Sequence, residues 1–256
     1  MDRRETVLRE LNLYPQWVRR DQPAQADTIA HVGVINESPA QTGAMATVGA
    51  IHELPLQASE MSTVGAWRAV PLLDWPEIKQ QVRDCTACKL RAGCTQTVFG
   101  VGDEKADWLF VGEAPGADED ALGEPFVGEA GKLLDNMLLA IKLKRGKNVY
   151  IANVIKCRPV NDQHPHVGEI AQCLPFLQRQ IALIQPKLIV ALGKTAANAL
   201  LGKDATIASL RGTLHDYNGI PLIVTYHPAY LLRSPLEKAK AWQDLRLAVD
   251  THAAAI

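Results

Sequence analysis

Residues 188–201 read LIVALGKTAANALL, a short apolar run that passes through Gly-Lys-Thr into a helical pattern. Three further apolar runs of similar length occur along the chain, and helical patterns separate them. Such runs are typical of strands buried on both faces, and their alternation with helices indicates a parallel sheet. The predicted strands are 108–111, 149–155, 188–192 and 222–226, and the predicted helices are 75–84, 130–143, 167–184, 195–201 and 236–249. We therefore predict an α/β fold, a three-layer α/β/α domain with a central four-stranded parallel sheet.

Composition and charge narrow the class of protein. The chain has 256 residues, of which 47% are hydrophobic and 21% charged, as in ordinary soluble globular proteins. No apolar run approaches the ~18 residues of a membrane-spanning helix, and the opening MDRRE is unlike a signal peptide. We therefore expect a cytoplasmic protein with no membrane contact. A net charge of −1 neither requires nor excludes DNA binding, because a local basic rim can be offset elsewhere.

The composition and hydrophobic patterning of the chain change near residue 70. Residues 1–20 have the pattern of a short amphipathic helix. Residues 21–70 are rich in Ala, Gln, Ser, Thr, Gly and Pro, and their only repeat is TVGA at 47–50 and 63–66. Two copies are too few for a repeat architecture, so this stretch is interpreted as a flexible tether. The folded domain is predicted to occupy residues 71–256.

Unusual polar and Gly/Pro segments follow the predicted strands. They are GEAPG at 112–116, NVIKCRP at 153–159, GKT at 193–195 and HPAYLLR at 227–233. Ligands of open parallel sheets bind outside the carboxyl ends of the strands. The sequence therefore predicts a site where these four segments meet.

Five cysteines argue against a disulfide framework in a chain of this kind. Cys85 and Cys88 form a C-x-x-C pair, and Cys157 and Cys173 follow far along the chain. Four thiolates can bind zinc or a [4Fe–4S] cluster, and C-x-x-C can also be redox-active. Spacing alone leaves these alternatives open. Cys94 is interpreted as a free thiol.

The ordered motifs resemble the family 4 uracil-DNA glycosylases, the iron–sulfur branch of the uracil-DNA glycosylase superfamily. The resemblance covers about residues 75–250 and depends on CTAC (85–88), GEAPG (112–116), GEPFVGEAG (123–131), NVIKCRP (153–159), Cys173 and HPAYLLR (227–233). It implies a monofunctional DNA-repair enzyme that hydrolyses the N-glycosidic bond of deoxyuridine. Such an enzyme releases free uracil from single- or double-stranded DNA, leaves an abasic site and works as a monomer.

The resemblance also assigns the uracil pocket. Asn153 would read the base, since an amide can accept from uracil N3–H and donate to O4, whereas cytosine presents the opposite pattern. Phe126 resembles the aromatic residue on which the flipped uracil stacks. Gly112 and Ala114 would line the pocket, and Ala114 stands where another branch of the superfamily has a catalytic Asp.

His227 resembles the family's catalytic histidine, which would stabilise the negative charge that develops on uracil O2. For the carboxylate that orients water, Glu113 is the first candidate and Glu119 the second. For Asp118 and Asp120, a role at the sugar and a place in a solvated acidic loop both remain open.

The remaining assignments concern DNA and the cluster. Tyr230, Leu231, Leu232 and Arg233 resemble a loop that inserts into the minor groove. Lys194, near a predicted helix N-terminus, is a candidate phosphate contact. The cysteines at 85, 88, 157 and 173 would bind a structural [4Fe–4S] cluster. Residues 161–166, NDQHPH, are predicted to be a loop whose histidines are not metal ligands.

Two alternative functions remain at the level of sequence. The first is a catalytically silent iron–sulfur DNA-binding module associated with replication. Residues 1–20 resemble the N-terminal segment of bacterial clamp-loader psi subunits, so they could bind a replication protein through an amphipathic face. The second alternative is a redox enzyme whose C-x-x-C exchanges disulfides, against which the distant Cys157 and Cys173 argue.

Overall fold

The computed structural model describes residues 73–254. The amphipathic segment predicted at 1–20 and the tether predicted at 21–70 lie outside the described residues. Within residues 73–254, no helix is long and apolar enough to cross a membrane.

A six-stranded sheet forms the centre of the domain. Its strands are β1 (Val101–Gly102), β2 (Trp108–Gly112), β3 (Val149–Asn153), β4 (Leu188–Leu192), β5 (Leu214–Tyr217) and β6 (Ile220–Thr225). They lie in the order β1-β3-β2-β4-β6-β5. The four inner strands are parallel, which confirms the predicted central sheet. The edge strands β1 and β5 pair antiparallel with their neighbours and were not predicted.

Helices cover both faces of this sheet. They are α1 (Trp75–Arg83), α2 (Leu90–Gly93), α3 (Ala117–Leu122), α4 (Glu129–Ala140), α5 (Val167–Ile184), α6 (Lys194–Leu201), α7 (Ile207–Leu210), α8 (Pro228–Arg233) and α9 (Lys238–Ala254). Short 3₁₀ turns lie at Val160–Asp162 and Pro235–Glu237. The predicted helix at 236–249 is therefore a turn followed by α9, and the predicted strand at 149–155 ends at Asn153.

Two cores explain why the inner strands are apolar throughout. Successive strand side chains point to opposite faces. On β2, Leu109 and Val111 join one core with α5, α6 and α7, whereas Trp108 and Phe110 join the other with α4, α8 and α9. This arrangement is the predicted three-layer α/β/α fold.

The strand order reverses at β2, since the chain continues to β3 on one side and later to β4 on the other. In open α/β sheets such a reversal opens a crevice at the carboxyl ends of the strands, where ligands bind. Glu113 follows β2 at this point, and Gly193 and Thr195 follow β4. The topology therefore places the predicted site at the edge where the four motifs were expected to meet.

Candidate active site

A pocket of about 200 Å³ opens at this edge of the sheet. Six residues predicted for catalysis or base binding line it, namely Glu113, Ala114, Glu119, Phe126, Asn153 and His227. Gly116, Pro159, Asp162, Gln163 and Ala229 contribute to the same wall. The structure thus brings together segments that lie more than 100 residues apart in sequence.

Asn153 lies at the end of β3 with only 2% of its surface exposed. Its side-chain Oδ1 is buried and has no hydrogen-bond partner in the described protein. Buried polar atoms are nearly always hydrogen-bonded, so an acceptor left open in a pocket indicates a missing ligand. Only glycine fits at position 112 beside these two side chains, because a Cβ there would lie 2.4 Å from Asn153 Oδ1 and 2.6 Å from Phe126 Cζ.

Phe126 has a left-handed backbone, with φ of 56°, which is unusual for an aromatic residue. Two side chains hold the loop in that conformation. The Arg145 guanidinium donates to the carbonyls of Pro125 and Phe126 at 2.8 Å each, and Glu119 Oε1 accepts from Val127 N–H at 2.9 Å. Strained backbones persist where surrounding contacts fix them, often at ligand sites. Arg145 belongs to none of the quoted motifs and was not predicted as a site residue.

Lys156 supports Asn153 from inside the protein. Its fully buried ammonium donates to the Asn153 carbonyl at 2.8 Å and to Gln180 Oε1 at 2.7 Å. Burial lowers the pKa of Lys156 to about 8. Its backbone N–H also contacts Cys173 Sγ at 3.2 Å, so Lys156 joins the pocket to the cysteines. Lys156 was not predicted as a site residue, although its position in NVIKCRP, between Asn153 and Cys157, could have indicated such a role.

His227 caps the N-terminus of α8. Its Nδ1 accepts from the Ala229 backbone N–H at 3.2 Å, so in the neutral imidazole the proton is on Nε2. Burial lowers the pKa of His227 from 6.5 to about 4. The positive charge of Arg233 also lowers this pKa, whereas the negative charges of Glu113 and Glu119 raise it. At neutral pH His227 is therefore an uncharged Nε2–H donor. Its ring centroid lies 5.4 Å from that of Phe126.

The two candidate carboxylates have different surroundings. Glu119 accepts from three backbone N–H groups, those of Gly116, Val127 and Gly128, and so holds the loop before α4. Glu113 instead accepts from the Thr195 hydroxyl at 2.5 Å and contacts His164 Nδ1 at 2.9 Å. The Glu119 carboxylate is therefore engaged by the backbone, whereas that of Glu113 contacts only side chains.

Asp120 does not lie in a solvated acidic loop. It is buried, and its carboxylate accepts from the backbone N–H groups of Thr95 and Gln96. These hydrogen bonds hold the pKa of Asp120 below its ordinary value despite burial, which opposes them. The solvated alternative was therefore wrong for Asp120.

The HPAYLLR segment forms α8, so its side chains alternate between core and surface. Tyr230, Leu232 and Arg233 are exposed and remain candidates for DNA contact. Leu231 is only 1% exposed and packs in the core between α4 and α9, so its predicted insertion into the minor groove was wrong. Lys194 forms an exposed ion pair with Asp204 at 2.9 Å.

Four cysteines line a second, small pocket beside the NVIKCRP segment. They are Cys85, Cys88, Cys157 and Cys173, together with apolar neighbours such as Val82, Ile155 and Phe176. Cys94 does not line this pocket, although it lies within hydrogen-bonding reach of Cys157. All five are free thiols. Burial raises the pKa of Cys173 to about 11.

Comparisons with known proteins agree with this geometry. Residues 99–246 match the family model of the uracil DNA glycosylase superfamily, so the chain belongs to that superfamily. A type-4 uracil-DNA glycosylase of Archaeoglobus fulgidus is 43% identical over 167 residues, 62% of this chain and 83% of the relative. A type-4 uracil-DNA glycosylase of Thermotoga maritima is 45% identical over 159 residues, which are 61% of this chain and 82% of the relative. One of Pyrobaculum aerophilum is 38% identical over 183 residues, which are 68% of this chain and 93% of the relative. Within the superfamily, the chain is a member of the type-4 branch.

Proposed function

We propose that this protein hydrolyses the N-glycosidic bond of deoxyuridine in DNA, releasing uracil and leaving an abasic site. The observation that carries the proposal is the open, buried Oδ1 of Asn153 in a pocket that also contains Phe126, His227 and Glu113. Family membership and the type-4 relatives support the same activity.

The pocket suits uracil because of what Asn153 can pair with. Its Oδ1 accepts from uracil N3–H, and its Nδ2 donates to O4. Cytosine has an acceptor at N3 and an amino group at position 4, so both pairs would fail. Polar groups left unpaired in a buried site give strong discrimination, of about 10⁴–10⁵ in favourable cases. The face of Phe126 adds stacking energy that is blind to base identity.

Bond cleavage leaves negative charge on uracil and makes the sugar resemble an oxocarbenium ion. The Nε2–H of His227 donates to uracil O2 as that charge develops, in a pocket that the base itself closes to water. A neutral donor avoids the cost of burying a cation before the charge appears. Glu113 orients water towards the sugar, and its negative charge stabilises the oxocarbenium-like carbon.

Excision from a fluorescent oligonucleotide carrying one uracil, followed by alkaline cleavage, tests the activity. We expect strand scission that depends on uracil, with no product from matched oligonucleotides carrying cytosine or thymine. Single- and double-stranded substrates are both included. Binding of uracil-containing DNA without any product from iron-replete protein would favour the silent DNA-binding module.

The second pocket fits a [4Fe–4S] cluster as a structural cofactor, and we propose that Cys85, Cys88, Cys157 and Cys173 bind it. A single zinc ion needs sulfurs within roughly 4 Å of one another, since each Zn–S bond is about 2.3 Å. Among residues 73–254, no three Cys, His, Asp or Glu side chains are grouped so that one ion could bind them. Four thiols that surround a mainly apolar pocket without converging on one point suit a cluster, in which each cysteine would bind a different iron. When bound, the cluster would brace the segment between Asn153 and Cys157.

Replacing Cys157 with alanine is expected to abolish cluster binding. The variant should lose the visible absorbance near 400 nm and fall well below the ~4 iron atoms per chain of a full cluster. Cys94→Ala is the matched control, because Cys94 lies beside Cys157 but outside the pocket. Unchanged iron content in Cys157→Ala, or equal loss in both variants, would contradict the ligand assignment.

DNA is the partner that this site requires. We also propose that a replication protein binds residues 1–20, which lie outside the described residues. The proposed chemistry acts on one flipped nucleotide at a time and is complete within one chain, so we propose a monomer.

A further inference from the structure

The loop predicted at residues 161–166 reaches the active site. Asp162 and Gln163 line the pocket of Asn153 and His227, and His164 contacts the Glu113 carboxylate. The sequence gives no sign of this contact, because His164 and Glu113 are 51 positions apart. The histidines of this segment had been interpreted only as loop residues.

The backbone of this loop is held in an unusual shape. Asn161 and Asp162 both have positive φ, of 56° and 52°, at a 3₁₀ turn. Arg158 fixes the turn with two hydrogen bonds to the Asp162 carboxylate, at 2.7 and 3.0 Å. Asn and Asp adopt positive φ more readily than other non-glycine residues, and the Arg158 contacts add to this local preference. This turn leads directly to His164, whose Nδ1 lies 2.9 Å from Glu113 Oε1.

The contacts of Glu113 complete the geometry. Thr195 Oγ1 donates to one carboxylate oxygen, Oε2, at 2.5 Å. His164 Nδ1 lies 2.9 Å from the other oxygen, Oε1. With Glu113 ionised, Nδ1 must carry the proton and donate. One donor on each oxygen fixes both the position and the plane of the carboxylate, and each oxygen keeps a lone pair for water.

We propose that His164 is a positioning residue for water activation, which it aids by holding the Glu113 carboxylate together with Thr195. This inference rests on the proposed glycosylase function. In that function Glu113 orients the water that attacks the sugar, and His164 acts through the Glu113 carboxylate.

The exposure of His164 argues that the contact serves catalysis more than folding. Its side chain is 90% exposed, whereas that of Glu113 is 25% exposed. Exposed ion pairs contribute little to stability. Correct orientation of a catalytic group, in contrast, strongly affects rate, since a misplacement of 1 Å can cost about a hundredfold. We therefore expect His164 variants to fold normally and to react slowly.

Single-turnover and steady-state excision measurements on three variants test this role. We expect His164→Ala to lower kcat about tenfold with KM within about twofold of the wild-type value. His164→Asn should recover most of that loss, because the Asn amide can place an N–H where Nδ1 was. His166→Ala is the matched control from the same loop and should match the wild type. Thermal unfolding checks that each variant is folded.

A double-mutant cycle with Glu113→Gln separates positioning from an unrelated effect. Glu113→Gln should itself slow excision, and adding His164→Ala to it should change the rate by less than about twofold. Equal effects of His164→Ala in both backgrounds would overturn the proposal, as would a His164→Ala enzyme as fast as the wild type. Absence of uracil excision by the wild type would instead contradict the glycosylase function, so the two failures are distinguishable.

Discussion

Replacing His227 with alanine is expected to slow uracil excision by about 10²–10³-fold, the usual effect of removing one donor to a developing oxyanion. The reason is the tautomer that the structure imposes. Nδ1 accepts from Ala229 N–H, and burial keeps the ring neutral at physiological pH, so Nε2–H is the remaining donor. The loss should lie mainly in kcat, because the charge on O2 develops in the transition state.

Two further variants separate catalysis from helix capping. His227→Asn can keep the cap of α8, since its Oδ1 can accept from Ala229 N–H, but it cannot reach the position of Nε2. His227→Gln has the opposite property, because its longer amide can place an N–H near that position. We expect His227→Asn to excise uracil as slowly as His227→Ala, and His227→Gln to recover part of the wild-type excision rate.

Single-turnover rates with excess enzyme, measured beside thermal unfolding, provide the comparison. Loss of the cap alone costs about 0.5–2 kcal/mol of stability, which the unfolding curves would reveal. A His227→Asn enzyme with the wild-type rate would contradict the donor role. If only the less stable variants react slowly, loss of the α8 cap explains the slower excision.

The inner sheet could be predicted because burial on both faces makes each strand a continuous apolar run. The edge strands gave no such signal. β1 has two residues, and β5 reads LHDY with alternate positions exposed, so their pairing depends on the neighbouring strand more than on their own composition. The error at Leu231 has a similar origin. HPAYLLR was interpreted as a loop, but in a helix Pro228 and Leu231 share one face, and that face is buried.

The site was predictable where its residues follow the inner strands. Glu113, Asn153 and His227 each stand at or just after the carboxyl end of a strand, so the sheet alone brings them together. Contacts that depend on loop conformation were not predictable. His164 reaches Glu113 through two residues with positive φ, and Arg145 reaches the Phe126 carbonyl from beyond α4. No periodicity encodes such contacts, because they follow from individual backbone torsions.

Changing Asn153 to aspartate should alter which base is excised, and this is the sharpest expectation for specificity. An ionised Asp cannot donate to uracil O4, so uracil excision should fall by about 10²-fold or more. The site is buried, with only 2% of Asn153 exposed, and burial raises the pKa of a carboxyl group. A protonated Asp can donate to cytosine N3 while its other oxygen accepts from the cytosine amino group. Cytosine excision should therefore become measurable.

The direction of the pH dependence distinguishes this explanation from a general loss of function. Cytosine excision by Asn153→Asp should increase as the pH falls, because protonation supplies the donor that cytosine N3 requires. Asn153→Ala, which has neither donor nor acceptor, should lose uracil excision without gaining cytosine excision at any pH. Competition between uracil and cytosine oligonucleotides, from pH 5.5 to 8, measures both rates in one mixture. An Asn153→Asp enzyme that remains fully selective for uracil would refute the reading role of Asn153, because the group that distinguishes the two bases would then lie elsewhere in the pocket.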